Sequence, residues 1–174
     1  MDDTIRGVIT RILQKNEELL RIPIRQRAKF EGWLKFEIAH YLEMEGYNSV
    51  RVEYMFENQE RADISFIHNE VQYYIELKTP NTNYRMEGIE NKHRPITKNM
   101  SSIVTDAKKL KDKNGIVAFV LFPIAIGGTQ WKTYIRRIAE EADTEITVED
   151  NCMVIPMKVN DVDEVSLCVC CFMP

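Results

Sequence analysis

The sequence has no apolar run long enough to span a bilayer, no charged-then-apolar leader, no internal repeat and no low-complexity segment. A helical membrane span needs about 20 consecutive apolar residues. The longest apolar run here, Ile116 to Ile126, has the length of a buried strand. These absences exclude a helical membrane protein and a repeat architecture, and the expected location is cytoplasmic. Cysteine is missing before residue 152, and the four that exist (Cys152, Cys168, Cys170 and Cys171) crowd towards the C-terminus. A structural zinc site needs a second converging Cys or His pair, and none is near in the sequence. These cysteines therefore read as small buried thiols of a reduced protein, with Cys168 and Cys170 on one strand face and Cys171 on the other. Histidine is scarce as well: His40, His68 and His93 form no metal-ligand pair.

An excess of positive charge is also lacking. The net charge of −4 by itself argues against a polyanionic partner. Its distribution argues the other way. Residues 78–138 carry twelve Lys/Arg and four Asp/Glu, a local +8, whereas residues 139–174 carry one Lys and nine Asp/Glu, a local −8. A basic block of this kind suits phosphate contacts, which dominate affinity for nucleic acid. Within it, Lys108, Lys109, Lys111 and Lys113 read as the solvated face of a helix.

What is present is ordinary globular material: 174 residues, 44% hydrophobic and 29% charged, enough for one domain over 1–174 with its own core. Helical spacing predicts a helix over 3–20, broken by Pro23, and a second over about 25–45, ended by Gly46. Strands are expected at 49–55, 61–67 and 71–78. Residues 80–97 follow as a long loop without periodicity, of the sort that often binds or covers a site. A helix capped by Thr97 or Asn99 runs to about Lys113, then a strand at 116–122, a helix to about Ala142, and strands near 152–158 and 165–172. This order fits an α/β protein with a mixed central sheet flanked by helices.

The most informative stretch is Arg61-Ala-Asp-Ile-Ser-Phe through Tyr-Ile-Glu-Leu-Lys78. Ala62, Ile64 and Phe66 alternate with polar residues, and Ile75 and Leu77 alternate with Glu76 and Lys78. A period of two puts Glu76 and Lys78 on one face. An even loop between the two strands makes paired numbers sum to 139, so Asp63 lies across from Glu76. Asn69-Glu70 lacks the glycine of the best two-residue turns, so a four-residue loop over 68–71 is expected. Two acids and a lysine then stand together at a sheet edge, a place for a divalent cation and an activated water.

On these residues the chain resembles the PD-(D/E)xK nuclease superfamily. The match is Asp63 with Glu76-Leu77-Lys78 and the surrounding order of elements, over about residues 25–125, with residues 3–20 and 129–172 outside it. The proline that often precedes the aspartate is missing; Ala62 stands there. The resemblance implies a restriction-endonuclease-like core and a Mg²⁺-dependent deoxyribonuclease, with Mn²⁺ as a substitute and DNA as partner, and it is compatible with a homodimer. It implies Asp63 and Glu76 as metal ligands, the Leu77 carbonyl as a further oxygen, and Lys78 as the group that orients or deprotonates the attacking water. It also implies a glutamate from the preceding helix. Glu31 shares the stripe of Leu34, Ile38 and Leu42 and is preferred; Glu37 lies nearer the polar flank. Arg85, Lys92 and Arg94 in the long loop are candidates for phosphate contact. The alternative is a catalytically idle relative that binds nucleic acid or protein through the same scaffold.

Overall fold

Residues 1–91 and 96–174 are described by a computed structural model. The elements are α1 (Asp2–Lys15), α2 (Glu17–Arg25), α3 (Glu31–Met44), β1 (Asn48–Met55), β2 (Arg61–His68), β3 (Val71–Lys78), α4 (Ile96–Leu110), β4 (Gly115–Ile124), α5 (Lys132–Ala142), α6 (Val148–Asn151), β5 (Cys152–Lys158) and β6 (Glu164–Phe172). The six strands form one mixed sheet in the order β1-β2-β3-β4-β6-β5. Among the described strands only β3 and β4 run parallel, joined through α4; the other neighbours are antiparallel. Among the described residues no helix is long and apolar enough to cross a membrane.

Every residue of β4 is buried, because both of its faces are covered. Ile116, Ala118, Val120 and Phe122 pack with α1, α2 and α3. Val117, Phe119 and Leu121 pack with α4 and α5, through Ile103, Ala107, Leu110, Ile135 and Ile138. Cys168 and Cys170 join this second core and Cys171 the first, as alternation along β6 requires. The register also sets Cys152 of β5 opposite Cys170, a neighbour that the sequence spacing did not reveal. Trp131 is buried and donates its indole N–H to the Gly128 carbonyl at 2.8 Å.

Several boundaries differ from the sequence expectation. The second helix, expected from about residue 25, starts at Glu31, and Thr97 and Asn99 lie within α4 rather than capping it. The first helix breaks at Asn16, whose side-chain amide and backbone N–H both turn back to the Ile12 carbonyl, at 2.8 and 3.1 Å. Pro23 lies inside α2 rather than breaking it; its missing N–H forfeits a single intrahelical bond, the one towards the Leu19 carbonyl. The α4 helix stops at Leu110 rather than Lys113. Gly46 ends α3 as expected, at φ 80°.

Residues 82–91 form no helix or strand, yet they are pinned. Arg27, 1% exposed, donates to the carbonyls of Glu90 at 2.8 Å, Thr82 at 2.5 Å and Tyr84. Thr82 also bonds to β4, from its N–H to the Phe122 carbonyl at 2.7 Å.

Candidate active site

The β2–β3 hairpin holds the site. Ile64 pairs with Ile75 and His68 with Val71, the register in which numbers sum to 139. The loop is the two-residue turn Asn69-Glu70 rather than four residues. Both residues take left-handed backbone conformations, φ 49° and 65°, which a two-residue turn of the right twist needs even without glycine.

Beyond Ile64 the ladder gives way to a side chain. The Asp63 carboxylate accepts the Leu77 backbone N–H at 2.8 Å, so it sits against the chain between Glu76 and Lys78. From the other side the Lys35 ammonium of α3 approaches it at 3.5 Å and also binds Glu53. Glu31, the first residue of α3, accepts the Thr79 N–H at 3.2 Å, one residue after Lys78. Glu37 instead lines a cleft between α1 and α3 with Arg11, His40 and Tyr41.

Glu76 is 4% exposed, on the face of β3 that packs towards α4. Its carboxylate is hydrogen-bonded by the Lys109 ammonium, and Lys78 Nζ lies 3.8 Å away. Burial, with the nearby carboxylates of Asp106 and Asp63 adding to it, pushes the Glu76 carboxyl up to about 7 despite the Lys109 bond. Lys78 Nζ lies 3.1 Å from Asp106 Oδ2, an ion pair without an aligned hydrogen bond, and 3.4 Å from the Leu77 carbonyl. Burial draws the Lys78 ammonium down, but Asp106, Glu31 and Asp63 outweigh it, and its pKa stands above the ordinary value. Burial pushes the Glu31 carboxyl up. The result is an alternating network in which each buried charge faces an opposite one, as burial demands.

Three members of this network escaped the sequence reading. Lys109 belongs to the helix face read as solvated, yet it is half-buried and also donates to the Arg61 carbonyl at 2.8 Å. Lys113 is half-buried too, with its ammonium 5.3 Å from the centre of the Phe56 ring, whereas Lys108 and Lys111 are exposed as expected. Asp106 was overlooked although a signal existed: it falls inside the apolar stripe Ile103, Ala107 and Leu110. A carboxylate there needs a partner across the interface. Lys35 gave no comparable signal. Arg85 is exposed and lines a separate cleft with Met86, Gly127, Gly128 and Trp131. Lys92 and Arg94 lie outside the described residues.

No protein-family model, curated protein or solved structure matches the chain. Among the described residues, no group of three His, Cys, Asp or Glu is arranged to hold a metal ion. The available donors are nevertheless of the right kind for a hard cation: the carboxylates of Asp63 and Glu76 and the Leu77 carbonyl are all oxygens. Mg²⁺ keeps several of its waters, so two carboxylates suffice in number. Lys109 is the competitor, because it already bonds the Glu76 carboxylate that a cation would need.

Proposed function

We propose that this chain is a metal-dependent nuclease of the PD-(D/E)xK type that hydrolyses phosphodiester bonds in DNA, and that α3, β1, β2, β3, α4 and β4 form a restriction-endonuclease-like core. The observation that carries the reading is the Asp63 carboxylate bonded to the backbone N–H between Glu76 and Lys78. It joins the three residues of the motif at the point where two strands part. Glu31, bonded at Thr79, adds the helical acid beside them.

Asp63, Glu76 and the Leu77 carbonyl would hold a Mg²⁺ ion, which when bound supplies an acidified water and charge to offset a phosphoryl oxyanion. The remaining work falls to the chain. The role of Lys78 is to orient or deprotonate the attacking water and to stabilise negative charge on phosphoryl oxygen. Asp106 positions it. Glu31 and Asp63 fix the backbone at Thr79 and Leu77 and so hold the β3 end in place.

A second reading has its own support. Glu76 and Asp63 are each partnered by a helical lysine, Lys109 and Lys35, which is how an idle scaffold would neutralise retained acids. Cleavage assays on duplex, single-stranded and branched DNA with Mg²⁺ or Mn²⁺ separate the two. The nuclease reading expects cleavage, and a loss of roughly 10²–10⁴-fold in kcat for Lys78→Ala with DNA affinity retained. DNA binding with no cleavage of any form by either metal would leave the binding module.

A further inference from the structure

The α4-side face of the β1–β2–β3 end carries a feature that the motif does not use. Glu53 of β1 has a left-handed backbone, φ 54°. Alternation along β1 reverses there. Val52 packs with the core beneath α3, but Tyr54 and Phe56 turn to the side of Tyr74. The three rings form a cluster, with centroids 5.6 Å apart for Tyr54–Phe56, 5.4 Å for Tyr54–Tyr74 and 4.8 Å for Phe56–Tyr74. Phe56 and Tyr74 wall an open cleft of about 560 Å³ with Gln72, Lys111, Lys113 and Asn114. One carboxylate, Asp112, also lines it. Strain at a non-glycine residue is tolerated where the surroundings enforce it, and such residues cluster at functional sites.

The cleft adjoins the candidate active site. Tyr74, Glu76 and Lys78 share one face of β3, and Tyr74 lies two residues from Glu76, roughly 6–7 Å along the strand. Lys113 donates to the Lys109 carbonyl at 2.7 Å, and Lys109 binds Glu76. Aromatic faces next to lysines and side-chain amides are what an unpaired nucleotide requires: stacking for the base, cations for the phosphate, and amides for the base edge. A paired base inside a duplex has no free face to offer.

We propose that this cleft holds an unpaired nucleobase of a DNA strand leading to Glu76, so that the substrate is DNA with a single-stranded segment. The consequence for substrate rests on the nuclease reading; the base-binding site does not. The test measures binding of a fluorescent oligo-dT and of a blunt duplex of equal length to the full chain in EDTA, by anisotropy. Phe56→Leu keeps an apolar side chain and removes the ring. It is expected to weaken oligo-dT binding about tenfold and leave duplex binding unchanged. Lys111→Glu, at an exposed position whose ion pair with the exposed Asp143 carboxylate spans 3.3 Å, is expected to weaken oligo-dT binding and flatten its salt dependence, by roughly 0.7 log unit for each phosphate no longer neutralised. Unchanged oligo-dT affinity in Phe56→Leu, or in Lys111→Glu should the first variant not fold, overturns the proposal, as does failure of the wild type to bind oligo-dT. Ring-dependent oligo-dT binding without cleavage of any DNA by Mg²⁺ or Mn²⁺ keeps the cleft and sinks the nuclease. Cleavage with ring-independent binding does the reverse.

Discussion

The two neighbours of β4 solve the same packing problem differently. On one side, β6 is buried along almost its whole length with Val165, Leu167, Cys168, Val169, Cys170, Cys171 and Phe172. Nothing charged enters that buried stretch, and the cost of desolvation is avoided. On the other side, β3 carries Glu76 to the same depth, with Lys78 and Asp63 at its rim. A buried carboxylate is expensive unless it is paired. The network of Lys109, Lys78 and Asp106 is the compensation. The contrast sets paired buried charge on the β3 side of the sheet and apolar packing on the β6 side.

The largest effect should come from breaking the compensation. Lys109→Met leaves Glu76 with only the more distant Lys78, and removing one partner of a buried pair costs about 3–5 kcal/mol. The cost depends on pH. The Glu76 carboxyl stands at about 7 in the folded chain against 4.5 for an ordinary glutamate. A carboxyl raised on folding contributes stability that is fully present below its unfolded pKa and is lost as pH rises through the folded one. Urea unfolding should therefore find Lys109→Met less compromised at pH 5 than at pH 8. Equal losses at both pH values would show that Glu76 does not titrate in this range.

An intermediate effect concerns metal. A cation must displace the proton from Glu76, so Mn²⁺ affinity should fall about tenfold for each pH unit below 7. Asp63→Asn should weaken it further at every pH by removing a carboxylate charge. Calorimetry that finds the same Mn²⁺ affinity in Asp63→Asn removes Asp63 from the ligands.

The smallest effect belongs to the other side of β4. Cys170→Ala trims a buried thiol in an apolar core and should cost about 1 kcal/mol, read as a lowered Tm, with cleavage rate and Mn²⁺ affinity unaltered. A change in either would blur the division between the two sides.

How much of this was legible before folding follows from the range of each signal. The hairpin register was readable because alternation and an even loop are local, and Ile64 does pair with Ile75. The loop length was not, because two-residue and four-residue turns give the same register and only backbone geometry at Asn69 and Glu70 distinguishes them. Lys109 was misjudged, unlike its exposed neighbour Lys108, because lysine on a helix is usually solvated; the partner that buries Lys109 lies 33 residues away in β3. The Asp106 carboxylate could have been found from its place in an apolar stripe. The aromatic cluster depends on one left-handed residue, Glu53, which no propensity announces.

The Arg27 guanidinium has a bearing on the entropy of the chain. Segment 82–90 forms no helix or strand of its own, and three of its carbonyls are met by this one side chain across 55 to 63 residues of sequence. Closing such long loops costs chain entropy. One buried guanidinium offsets that cost at three points and ties the segment after β3 to the turn between α2 and α3.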